Sequence, residues 1–214
     1  MQICEILTHR LVGGTVDGGW PNGHEPEDDL HTLVEVIADD GRSGVGSVFT
    51  SSGLTQAGVE QLRPLWQNES AIEPERVSEK LRQCSFWQGR GGTLEHVISG
   101  IDIALWDLFG KVCGQPLKRL LGGTYRDRIA PYASVLFDKP EALAERVQWV
   151  VGRGFRAIKL GWRPFGRVSQ QYDERLIQTA REAAGPNIDI LVDAGGSEQF
   201  WPHGYKWAFR TAQM

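Results

Sequence analysis

The chain has 214 residues, 41% of them hydrophobic, and a formal net charge of −4 spread along its length. That is enough apolar content to bury a real core in one or two domains, and the charge proposes neither nucleic acid nor an anionic membrane as partner. No apolar run approaches the roughly 18–20 residues of a membrane span, and the N-terminus lacks a basic-then-apolar signal, so the cytoplasm is the expected location. Three cysteines, Cys4, Cys84 and Cys113, are odd in number and far apart. They read as reduced core thiols rather than a disulfide framework or a zinc site.

The first elements in chain order are strands. Gln2–Val12, His31–Ala38 ("HTLVEVIA") and Val45–Phe49 favour β structure, and "DDGRSG" at Asp39–Gly44 is a turn. Together they predict a three-stranded antiparallel meander. Between the first two strands, Gly13–Asp29 ("GGTVDGGWPNGHEPEDD") is too rich in glycine and proline for a regular element. A loop of this length fits a lid that brings Trp20 and His24 to a ligand, or a solvated loop with one anchoring tryptophan.

Helical patterning starts at Leu54. Leu54–Leu65 and Pro74–Cys84 are candidate helices, and a long one follows in "TLEHVISGIDIALWDLFGKVCGQPLKRLLGG". There Val97, Ile101, Ala104, Leu105, Leu108 and Val112 recur at helical spacing, Thr93 is placed to cap the start, and Gly114 with Pro116 ends it. Asp102 and Asp107 lie on this helix about 140° apart around its axis, too divergent for a compact two-ligand site, so structural hydrogen bonds are expected of them.

After Gly122–Gly123 strands and helices alternate: Ile129–Val135 as strand, Pro140–Val151 as helix, Ala157–Leu160 as strand, Asp173–Ala184 as helix and Ile188–Asp193 as strand. This is the spacing of βα units around a parallel sheet, whose ligands gather at the carboxyl ends of the strands. Lys159 and Asp193 are placed at such ends, followed by Gly161 and by Gly195–Gly196. The boundary divides the chain into residues 1–128 and 129–214.

The stretch Gly100–Gly123, "GIDIALWDLFGKVCGQPLKRLLGG", followed in order by "FRAIKLGW" and "ILVDAGGS", resembles the mandelate racemase and muconate-lactonizing branch of the enolase superfamily. The resemblance implies an α+β capping domain followed by the first part of a (β/α) barrel, left incomplete here. It also implies an activity, removal of a proton from the carbon beside a carboxylate, with Mg²⁺ receiving the charge that develops. Asp193 matches the first of the family's three carboxylate metal ligands, whereas without the family a strand-end aspartate before two glycines reads as a turn former or helix cap. The family's Lys-x-Lys pair is Lys159-Leu160-Gly161 here. Lys159 then has an electrostatic or base role, and glycine replaces the usual base, which favours dehydration of an acid sugar over two-base racemisation.

A complete barrel takes about 250 residues, against the 86 from Ile129 to Met214. The resemblance therefore implies that further metal ligands and the main acid/base lie outside this chain, and that the chain alone is inactive. The alternatives are a racemase or epimerase of a 2-hydroxy acid, and a noncatalytic relative acting as a binding or assembly module. In the second, tryptophans such as Trp87, Trp162, Trp201 and Trp207 stack on sugars or simply pack in a core. His203 either faces a site or lies at the surface. Residues near Thr50–Gly53 and the long loop bear on specificity, which makes Thr50, Trp20 and His24 candidate substrate contacts. The expected partner is a small carboxylate or sugar acid, and the full-length protein is expected to be a homo-oligomer.

Overall fold

Strand β1 (Ile3–Leu11) pairs antiparallel with β2 (His31–Ala38), and β2 with β3 (Ser43–Val48), in the sheet order β1-β2-β3. The computed structural model describes residues 1–12 and 31–193. Alternation in β2 sends Thr32, Val34, Val36 and Ala38 to one buried face. Against that face lie α1 (Ser52–Trp66), α2 (Pro74–Ser85) and α3 (Thr93–Cys113), with Val59, Leu62, Val77, Leu81, Ile101, Leu105 and Leu108 completing the core. Trp66 is fully buried, and its indole N–H donates to the Val59 carbonyl at 2.9 Å.

β3 meets α3 along a seam of small residues. Gly44 and Gly46 lie so close to the helix that a Cβ on Gly46 would fall 2.1 Å from the Gly100 carbonyl oxygen, and one on Gly44 2.1 Å from that of Ala104. This approach explains the buried glycines of "SGVGSV" and why the strand starts at Ser43, before the Val45 expected from hydropathy. On the outer edge of β3, the Asp107 carboxylate accepts from the Val45 amide at 2.9 Å while Lys111 donates to the Ser43 carbonyl at 3.1 Å.

Two expectations for this part of the chain need correction. Thr93 does not cap α3: the N-cap is Gly92, with no side-chain cap, and Thr93 is the first helical residue. The C-terminal end does stop at Gly114, in the left-handed conformation. The cysteines are free but exposed rather than core thiols. Cys4 lies on the outward pleat after buried Ile3, and Cys84 lies on the solvent side of α2, between buried Leu81 and Ser85.

By contact density the chain separates into two units that part between Asp127 and Arg128. In the second, β4 (Ala133–Leu136), α5 (Pro140–Gly152), β5 (Ala157–Gly161), α6 (Gln170–Ala184) and β6 (Asp189–Asp193) alternate, and the strands form a parallel sheet in the order β4-β5-β6. β4 is shorter than the Ile129–Val135 expected: Ile129 and Tyr132 are exposed and precede the ladder. Val135, Phe137, Ile158 and Leu160 pack into one core with Leu143, Val147, Leu176 and Ala180 of the helices. Because strand residues alternate, Ser134, Leu136, Lys159, Gly161, Leu191 and Asp193 share the opposite face.

Candidate active site at the carboxyl ends of the parallel strands

Asp193 is the last residue of β6, in register with Gly161, the last residue of β5. Lys159 is two residues before the end of its strand, and its long side chain reaches forward so that Nζ donates to Asp193 Oδ2 at 3.0 Å. The two groups are about one-third exposed, 30% and 35%. The hydrogen bond to Asp193 is the main influence holding the Lys159 ammonium above the ordinary lysine range, against a smaller opposing cost of desolvation. The ammonium also lies 5.4 Å from the centre of the Tyr132 ring. Gly161 permits the close approach of Asp193: a Cβ there would lie 3.0 Å from the Asp193 Cβ and 3.1 Å from its carbonyl oxygen.

A second ion pair stands across β5. Asp138, two residues past the end of β4, accepts from Arg163 Nη1 at 2.6 Å and from the Lys139 amide at 2.8 Å. Arg163 follows β5, and both it and Trp162 have left-handed backbone, φ 56° and 63°. For bulky residues that conformation costs of order 1–3 kcal/mol each and persists only where the surroundings impose it. Here they do. Phe165 stacks on buried Phe137 with ring centres 4.5 Å apart, and Asp173, in the first turn of α6 and only 5% exposed, accepts from the Gly166 amide with both oxygens, at 3.1 and 3.2 Å. Burial is the dominant influence on Asp173 and pushes its carboxyl above the ordinary range, against the pull of that amide.

Of the expected site residues, the structure brings Lys159 and Asp193 together. Thr50 lies in the first unit, where its hydroxyl donates to the Phe49 carbonyl at 2.6 Å and sits 2.8 Å from His96 Nδ1. Trp20, His24, His203, Trp201, Trp207 and Gly195–Gly196 lie outside the described residues. Asp102 accepts from Ser78 at 2.6 Å and Asp107 from β3, both structural bonds to neighbouring elements. Sequence reasoning passed over Asp138, Arg163 and Asp173. For Asp138 and Arg163 the available signal was a repeated pattern, a charged residue just past each strand and shortly before proline, in "FDKP" and "GWRP".

Asp193 offers the hard oxygen donor that Mg²⁺ takes and fits the cation as a single ligand. Among the described residues no group of three or more His, Cys, Asp or Glu side chains could hold a metal. No helix among them is long and apolar enough to cross a membrane.

Residues 27–122 match the family model of the mandelate racemase/muconate lactonizing enzyme N-terminal domain. The chain is 32% identical over 213 residues to the D-galactarolactone cycloisomerase of Agrobacterium fabrum, covering 96% of this chain and 53% of that protein. It is 32% identical over 178 residues to the D-gluconate dehydratase of Thermoproteus tenax, covering 77% and 35%. Its fold matches the crystal structure of the 3,6-anhydro-D-galactonate cycloisomerase from Zobellia galactanivorans with a TM-score of 0.80 at 27% identity, over 100% of this chain and 55% of that one. An α+β unit leading into a parallel βα unit is the architecture of an enolase-superfamily enzyme's first half. The chain belongs to the mandelate racemase/muconate lactonizing enzyme branch of that superfamily, and it spans about half the length of the first of these relatives.

Proposed function

We propose that this chain supplies the capping domain (residues 1–128) and the first barrel strands (129–214) of a cytoplasmic, homo-oligomeric enzyme that dehydrates an acid sugar. The observation that carries the reading is the placement of Lys159 and Asp193 together, at 3.0 Å, on the face of a parallel sheet opposite α5 and α6. In this reading Asp193 is one ligand of Mg²⁺, the remaining ligands coming from residues outside those described. When bound, the cation would supply the positive charge toward which electron density moves as the proton beside the substrate carboxylate is lost.

The chain's own residues do the following. Lys159, positioned by Asp193, presents an ammonium to the substrate carboxylate and steadies it electrostatically. Gly161, where a side chain would share the face of Lys159, offers no base and lets Asp193 pack close to the strand. With no base on that side, abstraction of the α-proton from the other side and loss of the neighbouring hydroxyl as water is favoured over proton exchange between two faces.

The test is calorimetric titration of Mg²⁺, followed by turnover of D-gluconate and D-galactarate, in the protein as its gene encodes it. Asp193→Asn is expected to abolish metal-dependent turnover and weaken Mg²⁺ binding at least tenfold. Asp102→Asn, which alters only the bond from Ser78, is expected to lower the melting temperature and keep both. Equal loss of metal binding in the two variants would overturn the assignment.

A further inference from the structure

Asp138 and Arg163 have no part in the chemistry above, yet they are the most firmly supported charges at this end of the sheet. Phe137 is fully buried on the helix side, so alternation turns Asp138 to the face of Ser134, Leu136, Lys159 and Asp193. Arg163 is held against it at 2.6 Å, and the two side chains are 31% and 32% exposed, open to a ligand but out of bulk water. Stacking of Phe165 on Phe137 and the grip of Asp173 on Gly166 fix the segment that bears Arg163.

We propose that the Asp138–Arg163 pair is a hydroxyl-reading subsite that selects a polyhydroxylated six-carbon acid over a short hydroxy acid, an inference that rests on the acid-sugar reading. A guanidinium only donates and a carboxylate only accepts, whereas every sugar hydroxyl does both. A paired Arg and Asp therefore matches neighbouring hydroxyls while its zero net charge leaves the substrate carboxylate to Lys159. Arg163 uses one of its five N–H groups on Asp138 through Nη1, and each carboxylate oxygen can accept twice.

Chain length enters through the number of hydroxyls. Loss of the α-proton and of the neighbouring hydroxyl engages C2 and C3, which carry all the hydroxyls of a four-carbon tartrate, whereas a six-carbon acid brings further hydroxyls at C4 and C5 for the pair to read.

The experiment compares steady-state kinetics on D-gluconate, D-galactarate and the four-carbon D-tartrate, with Mg²⁺, in the protein as its gene encodes it. Arg163→Met is expected to raise KM for the six-carbon acids roughly 10- to 100-fold, with kcat and the KM for tartrate little changed. Arg163→Lys, which keeps the charge and loses the fork, is expected to fall between. A wild-type KM for the six-carbon acids in Arg163→Met would overturn the subsite. If that variant melts early, Arg163→Lys and Asp138→Asn are judged by the same KM criterion. A wild-type enzyme that prefers tartrate would overturn the subsite and leave the proton-abstraction reading standing. One that turns over none of the three would overturn both.

Discussion

The seam between β3 and α3 gives the most decisive structural prediction, because both surfaces there are backbone. In Gly46→Ala the new methyl group would lie 2.1 Å from the Gly100 carbonyl oxygen and 2.9 Å from the Ala104 amide nitrogen. Ordinary carbon–oxygen contact needs about a further ångström, and no side chain can rotate away to provide it. Helix and strand must therefore separate, loosening the packing of Val48, Ile101 and Leu105 around them. Overpacking of this kind costs about 1–3 kcal/mol, and with rigid backbone on both sides the upper end applies. The gain from a stiffer unfolded chain, roughly 0.4–1 kcal/mol, offsets only part of it. A net loss of about 2 kcal/mol corresponds to a fall of roughly 4–8 °C in the melting temperature of the first unit, followed by circular dichroism. Gly53→Ala is the control: it lies in α1 with nothing within 4 Å of the new methyl, and helix propensity predicts a gain of roughly 0.5–1 kcal/mol. Equal melting temperatures for the two alanine variants would refute the packing argument.

Glu69 accepts from Lys80 at 2.5 Å and from Arg76 at 2.6 Å, and these bonds, Lys80 first, hold its carboxyl below the ordinary range. Because the folded-state value is the lower one, the stabilisation is complete above the ordinary value of 4.5 and is lost as pH falls through the folded value. Glu69→Gln is expected to flatten the acid limb of a melting-temperature profile below about pH 4.5, and an unchanged slope would refute the assignment. At the sheet edge, Asp107 is subject first to burial, which would raise its carboxyl, but the bonds from Lys111 and the Val45 amide outweigh it and the net shift is downward. Asp107→Ala removes the acceptor for Val45 and is expected to cost about 1 kcal/mol after allowance for solvent screening. It should also increase self-association by light scattering, since the edge of β3 loses its cover.

What could be read from the sequence was whatever depends on local period. The span of α3 follows from Val97, Ile101, Ala104, Leu105 and Leu108 at helical spacing, and the parallel sheet from the alternation of strand and helix after Gly123. Strand ends and caps were less legible because neighbours set them. β3 begins at Ser43 since α3 accepts the glycines of the strand, and α3 begins after Gly92 rather than on a threonine cap because the glycine-rich "GRGG" already supplies the turn. Cys4 and Cys84 misled for a similar reason: burial depends on which side of the pleat or helix a residue takes, and a lone cysteine gives no period. Asp193 could be singled out because one carboxylate at the end of an apolar run is a local pattern. Asp138 and Arg163 show in the sequence only as charges before proline; that they pair follows from the register that places Leu136 opposite Gly161 and from the turn after it.

That register is held from the other side of the sheet. Ile158 and Leu160 are fully buried against α5 and α6, and a slip of one residue in β5 would expose both and drive Lys159 into the apolar core. The position of the candidate site is thus secured by residues that never touch it. Lys159 keeps to the open face because its two neighbours in β5 cannot leave the core. Asp193 reaches Lys159 because Ile188 and Ile190, packed against the same core, hold β6 in step with β5. Arg163 depends on this frame and on one thing more, the turn imposed after Gly161 by Phe165 and Asp173. This separates the two ion pairs physically: the Lys159–Asp193 pair is set by sheet register, whereas the Asp138–Arg163 pair is set by a strained turn that can change while the sheet stays intact. The proposed hydroxyl-reading pair can therefore change through residues 162–166 without disturbing the carboxylate on which the proposed metal chemistry depends.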